Sequence, residues 1–351
     1  MKKLLIIIII LVCFGIWFSQ RENISLEKDM LNPVEGKKLL NQQEEKFIFV
    51  PYWTFSDELD VNEYGSLIYF GVSIDENGID KNEEGYRKMD SFVRFAPSDK
   101  KKYLTLRLVN SEINEKIIED DTFQRKVASQ LADLANSHEF DGVVIDYETS
   151  AFGFESVENE ITDMYKVFNS EVKRKDLELL VTVFGDTYYR ARPYNIGEIG
   201  KLSDGVIVMA YDFHKARLNP GPTFSLSDDD KYGYSLLSMV DDFSEDVPGE
   251  KIIITLGYFG YDWKLSDDRT SMGMAEPLTT NQFESRFLAG CDFDNCRINK
   301  NNDGESSVLY EDEEGYNHEV WSEDMDSIDR KITALNDKGV RRIGIWAYSF
   351  Y

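Results

Sequence analysis

The chain has 351 residues, 42% of them hydrophobic and 13% aromatic. That is enough for one large core, since a single α/β barrel commonly uses about 250 residues. Its 65 acidic against 39 basic residues leave a net charge of −26, which repels nucleic-acid phosphates and anionic lipid headgroups and favours a neutral or weakly charged substrate.

Residues Leu4 to Phe18 form an apolar run broken only by Gly15 and preceded by Lys2 and Lys3, the layout of a secretory leader. As a helix the run spans about 22 Å, short of the ~30 Å hydrocarbon core. Residues 1–20 therefore read as a signal peptide or a short membrane anchor. No small-residue cleavage site follows, and Val12 before Cys13 suits lipoprotein processing poorly, which tilts the reading toward a retained anchor. In both cases Lys2 and Lys3 stay cytoplasmic and the rest of the chain is exported, so the protein is expected outside the cytoplasm, secreted or anchored. Residues 21–45 are polar and aperiodic, a linker.

From residue 46 to 351, short apolar runs alternate with stretches of helical period. Strands are expected at Phe47 to Trp53, Ser66 to Ile74, Tyr103 to Val109, Gly142 to Glu148, Leu179 to Phe184, Gly205 to Asp212, Ile252 to Phe259 and Arg342 to Tyr348. One helical stripe runs through Phe123, Val127, Leu131 and Leu134, another through Ile161, Met164, Phe168 and Val172. Ile328, Ile332 and Leu335 form a third, stopped by Gly339. Eight near-continuous apolar strands separated by amphipathic helices predict a closed parallel (β/α)8 TIM barrel. A doubly wound open sheet is the alternative. The connection at about 264–326 is too long for a simple loop. It reads as a small α+β insertion with a helix near Asn281 to Leu288 and a hairpin from Tyr310 to Trp321 turning at Glu314 and Gly315.

Of three cysteines, Cys13 lies in the leader, while Cys291 and Cys296 enclose four residues. In an oxidising compartment they are candidates for a disulfide, with two inert thiols as the other reading.

In the segment Asp141 to Glu148, the period of two puts Val144, Asp146 and Glu148 on one strand face. The run is too apolar to face solvent, so both acids are expected to point into the barrel mouth, where TIM barrels keep their chemistry. Burial beside a second carboxylate raises a pKa, which keeps a glutamic acid protonated near neutrality.

This segment resembles the DGxDxDxE motif of glycoside hydrolase family 18, the chitinase-like hydrolases, through Asp141, Gly142, Asp146 and Glu148. Val144 departs from it, since the family usually carries Asp there. Val208 to His214 is similar to the family's sixth-strand MxYD element, and Pro220 to Pro222 recurs in a cell-wall and spore-type subgroup. Leu256 to Trp263 resembles the seventh-strand segment, Leu309 to Asp324 a subgroup pattern before the last helix, and Trp346 stands where the final strand supplies a tryptophan floor.

The resemblance implies hydrolysis of β-1,4-linked N-acetylglucosamine-containing glycans, of chitin or peptidoglycan type, in which the substrate's 2-acetamido oxygen acts as nucleophile. It assigns Glu148 as acid and base, Asp146 as the acetamido-orienting carboxylate and Tyr211 as donor to the acetamido oxygen. Asp212, Trp346, Tyr52, Trp53, Met209 and Asp141 are the expected substrate-binding residues, in a monomer. Val144 in place of Asp should alter the electrostatics beneath Asp146. A catalytically silent sugar-binding protein on the same barrel is the alternative.

His138, His214 and His318 are too scattered for a zinc site, and no phosphate loop or nucleophile elbow is present. Asn299 to Gly304 resembles the start of a calcium loop, but Tyr310 stands where the last ligand belongs, so the stretch reads as a turn. No metal, cofactor or nucleic-acid partner is expected.

Overall fold

The computed structural model describes residues 44–55, 59–149 and 153–351. The leader and nearly all of the linker lie outside the described residues. Among those described, no helix is long and apolar enough to cross a membrane.

Eight strands close a parallel barrel: β1 (Glu45–Pro51), β2 (Ser66–Val72), β3 (Lys101–Leu108), β4 (Gly142–Tyr147), β5 (Glu178–Phe184), β6 (Gly205–Ala210), β7 (Ile252–Gly257) and β8 (Arg342–Trp346). Each pairs with its chain neighbour, and β8 pairs with β1 to shut the ring. The expected TIM barrel is therefore the observed fold, and the open sheet is excluded. Alternation along the strands divides the apolar residues in two. Phe47, Phe49, Ile68, Tyr103, Val144, Leu180, Ile207 and Ile253 plug the barrel interior. The intervening residues face the surrounding helices, giving strands buried on both sides.

The principal helices are α1 (Glu84–Phe95), α2 (Ser111–Glu119), α3 (Asp121–Ser137), α4 (Glu155–Lys173), α5 (Ile196–Leu202), α6 (Leu236–Asp246) and α7 (Met325–Asp337). On α4, Ile161, Met164, Phe168 and Val172 are fully buried. On α7, Ile328 and Leu335 are buried while Ile332 is half-buried. Gly339 follows the Lys338 cap at φ 88°, a left-handed turn that favours glycine.

Seven of the eight expected strands end one or two residues early, and at two of them the residues beyond do something else. Tyr52 and Trp53 lie in a turn beyond β1, closed by the Thr54 N–H on the Pro51 carbonyl (2.9 Å). Strand β7 stops at Gly257, and Phe259–Lys264 begins a separate five-stranded antiparallel sheet in the order 276–279, 259–264, 317–322, 306–311, 294–300. The insertion thus starts at Phe259 rather than near residue 264, because the aromatic run pairs with the 317–322 strand instead of extending the barrel. Its helix is one α-turn (Thr280–Phe283) continuing as a π-helix (Glu284–Leu288), and its hairpin turns at Gly315 (φ 85°). Cys291 and Cys296 are joined by a disulfide with a Cα separation of 6.3 Å. One face of this sheet, with Phe259, Tyr261, Trp263 and Trp321, packs on Tyr211, Trp346 and Phe350 at the barrel mouth.

A buried ion cluster ties the insertion to the barrel. Lys331 of α7, only 2% exposed, pairs with Glu305 (3.0 Å) and with Glu323, and donates to the Phe224 carbonyl (2.6 Å). Burial and the two opposing charges make this cluster expensive to break on one side.

Candidate active site

The C-terminal ends of the strands open into a cleft of about 590 Å³ lined by Asp146, Glu148, Tyr211, Asp212, Met209, Trp53 and Trp346, among others. Val144 lies on the same strand face as Asp146 but deeper, fully buried in the apolar plug. That is why the two acids, and not the valine, reach the opening.

The end of β4 is fixed from both sides. The Glu148 N–H donates to the Leu108 carbonyl (2.9 Å), and the buried Asn114 amide donates to the Leu108 (2.6 Å) and Glu148 (2.7 Å) carbonyls. Tyr194 donates its hydroxyl to the Tyr147 carbonyl (2.9 Å). These contacts hold the acid's backbone, and its side chain then projects over the cleft.

Asp146 is 2% exposed, and its Oδ1 accepts a hydrogen bond from the Thr182 hydroxyl at 2.5 Å. Burial, reinforced by the Glu148 charge, pushes its pKa from 3.8 up to about 7, while Thr182 and Arg107 pull it back. Burial likewise raises the Glu148 pKa, opposed by the Lys215 charge, assisted by Asp212 and opposed again by Arg192. Both shifts run toward the protonated form, with burial as the first cause in each. Burial first, then Asp146, Glu148 and Asp212, hold the Tyr211 pKa far above the ordinary range, so its hydroxyl remains a donor.

Asp212 adopts a left-handed backbone (φ 59°), and its Oδ1 accepts from the Tyr261 hydroxyl (2.7 Å). Asp is among the residues that tolerate this conformation, and such strain concentrates at functional sites. Trp346 forms the apolar floor, with ring centroids 4.8 Å from Phe70, 5.4 Å from Phe49 and 6.4 Å from both Trp53 and Tyr211.

Two expected binding residues are not in the cleft. Asp141 precedes β4 at the opposite end of the barrel, where its carboxylate accepts the Lys102 N–H (2.7 Å). A six-residue strand, about 20 Å at ~3.3 Å per residue, separates it from the mouth. It organises the start of the strand and cannot touch a sugar bound above. Tyr52 stands edge-on to Trp53 (4.9 Å) with the Arg107 guanidinium 5.0 Å from its ring, so it supports the wall without lining the cleft.

Arg107 and Thr182, which touch or polarise Asp146, and Tyr261, which holds Asp212, are residues that the motif reading leaves out. The signal for the first two lies in their strands: alternation places Tyr103, Thr105 and Arg107, and Leu180 and Thr182, on the same inward face as Asp146. Tyr261 belongs to the insertion, and no local pattern points it at the cleft.

The chain is thus a closed (β/α)8 barrel whose mouth carries a buried carboxyl pair above a tryptophan floor. Residues 45–350 match the model for Glycosyl hydrolases family 18, and the chain belongs to that family.

Among curated relatives it is similar to YdhD of Bacillus subtilis, whose name marks it as a sporulation-specific glycosylase. The two are 25% identical over 243 residues, 68% of this chain and 54% of the relative. It is also similar to the cortical fragment-lytic enzyme of the same organism, at 24% over 253 residues, 68% of this chain and 53% of that enzyme. The chain thus spans about half the length of these relatives. Among solved structures, the class V chitinase of Nicotiana tobaccum shares the fold with a TM-score of 0.75 at 13% identity, covering 88% of this chain and 95% of the other.

Proposed function

We propose that the protein hydrolyses β-1,4-linked glycans containing N-acetylglucosamine, retaining the anomeric configuration through participation of the substrate's acetamido group. The observation that carries this reading is the convergence of Glu148, Asp146 and Tyr211 on one cleft with both carboxyl pKa values raised. Asp146 is buried and engaged by Thr182, which leaves it poorly placed as an attacking nucleophile.

Glu148 then gives its proton to the glycosidic oxygen as the bond to the anomeric carbon breaks. The acetamido oxygen closes on that carbon, forming an oxazolinium ion. Asp146 accepts the acetamido N–H and offsets the developing positive charge, while Tyr211 donates to the acetamido oxygen and orients it. Glu148, now ionised, takes a proton from the incoming water, which opens the ring from the face the leaving group vacated. Trp346 stacks beneath the sugar, and Asp212, Met209 and Trp53 hold it from the sides.

Action outside the cytoplasm fits the basic-fronted apolar start of the chain, the Cys291–Cys296 disulfide and the sporulation and cortex names of its relatives. Residues 1–20 would serve as the export signal or anchor.

The test is hydrolysis of N-acetyl-chitooligosaccharides and of peptidoglycan strands by the full chain, with product masses and the first-formed anomer read by proton NMR. The β-anomer is expected first. An α-anomer, or binding without cleavage of either substrate, refutes the mechanism.

A further inference from the structure

The chain's net charge is −26, yet the wall leading away from Glu148 is basic. A second cavity of about 540 Å³ shares Asp212 and Tyr261 with the catalytic cleft and is lined by Arg190, Arg192, Lys215 and Arg217. Arg190 and Arg192 both clamp Asp186, which is buried beneath them, and Arg190 also donates to the Phe213 carbonyl (3.0 Å). Those two cations are occupied. Among the described residues neither Lys215 nor Arg217 forms an ion pair, and Lys215 rests 4.8 Å from the Phe184 ring. Lys215 already acts on the catalytic acid, holding down the Glu148 pKa against its burial. Beyond it, Arg217 and Met274 also line a third depression of about 440 Å³, so the path continues outward along the 217–219 and 271–274 loops.

An uncharged polymer offers these cations nothing to pair with. Lys215 acts on Glu148 and Asp212 without pairing with either, and Arg217 stands farther out beside a cleft otherwise walled by aromatic rings and carboxyls. They gain a partner if the bound chain carries a negative group within a sugar or so of the bond being cut. The −26 field opposes an acidic polymer at long range, but at physiological salt that field decays over ~8 Å, so the groups lining the path decide the local preference.

Resting on the glycosidase reading above, we infer that this shelf selects a glycan that carries carboxylates, with Arg217 as a specificity-determining residue that pairs with one of them. An N-acetylmuramic acid residue, whose lactyl ether ends in a carboxylate, has the required chemistry, as does a peptide stem attached to it. A neutral N-acetylglucosamine homopolymer does not. The expectation of a neutral substrate drawn from total charge is thereby revised by where the charge is placed.

The experiment compares the full chain and Arg217→Gln on peptide-free peptidoglycan strands with free lactyl carboxylates and on the same strands after methyl esterification, with peptide-bearing strands as a third substrate. For the wild type, kcat/KM on the free acid should exceed that on the ester by about five- to tenfold, the worth of one charge-assisted contact. In Arg217→Gln that ratio should fall to about one, and Arg217→Lys should restore part of it. A loss on peptide-free strands assigns the contact to the sugar's own carboxylate, and a loss confined to peptide-bearing strands assigns it to the stem. Both outcomes support an anion-selecting shelf.

Equal wild-type rates on acid and ester, together with no loss of rate on peptide-bearing strands in Arg217→Gln, overturn it. Should the wild type cleave none of the substrates, the glycosidase reading fails. The shelf is then scored separately by whether Glu148→Gln binds the free acid more tightly than the ester.

Discussion

Replacing Asp146 with Asn isolates the energetic consequence of keeping a carboxyl at the barrel mouth. Asp146 is 2% exposed, and its pKa stands at about 7 against the ordinary 3.8. The folded protein therefore holds this proton more tightly than the unfolded chain does. Stability attached to the group is fully present below about pH 4 and is lost as pH rises through 7. At ~1.36 kcal/mol per pH unit the loss across that interval is at most about 4 kcal/mol. Asparagine keeps an oxygen that can accept the Thr182 hydroxyl, fills nearly the same volume and does not titrate.

Urea unfolding of both proteins at pH 4 and pH 8 should show similar stabilities at pH 4. At pH 8 the variant should be more stable, by up to about 4 kcal/mol. Hydrolysis should meanwhile fall by roughly 10²-fold, because a neutral amide cannot offset the oxazolinium charge. An offset independent of pH, or a wild type more stable than the variant at pH 8, would mean that Asp146 is not held against its preferred protonation state.

Tyr211→Phe removes one preorganised donor, and kcat on chitooligosaccharides or peptidoglycan should drop by about 10²-fold with little change in KM. Thr182→Val deletes a hydrogen bond that lowers the Asp146 pKa, so the limb of the pH–rate profile set by the carboxyl pair should move to higher pH. An unmoved limb would mean that Asp146 does not control it. Lys331→Met leaves Glu305 and Glu323 buried without their counter-charge, and chemical denaturation should show a loss of about 3–5 kcal/mol.

The barrel was legible because its strands are buried on both faces and so read as apolar runs that few loops imitate. The helices were legible where one stripe faces the sheet, as on α4. What escaped follows from contacts made across the chain. Phe259–Lys264 looks like more of β7 until the 317–322 strand claims it. Lys331 sits in the apolar stripe of α7 as a charged residue, and only Glu305 and Glu323 from distant segments explain its burial.

At the site, the alternation within Asp141 to Glu148 was sufficient to orient Asp146 and Glu148. Asp141 was misplaced by treating a motif as a cluster, when a strand separates its first residue from its last by the height of the barrel. Arg107 and Thr182 were readable by applying the same alternation to β3 and β5. The basic shelf was hidden by a total charge that averages over the whole surface.

In the proposed mechanism Glu148 supplies the proton. Glu148→Gln should preserve the fold and the KM while lowering turnover of an N-acetylglucosamine-containing oligosaccharide by at least ~10²-fold, the low end of what a general acid contributes. Turnover near the wild-type rate in that variant would contradict it.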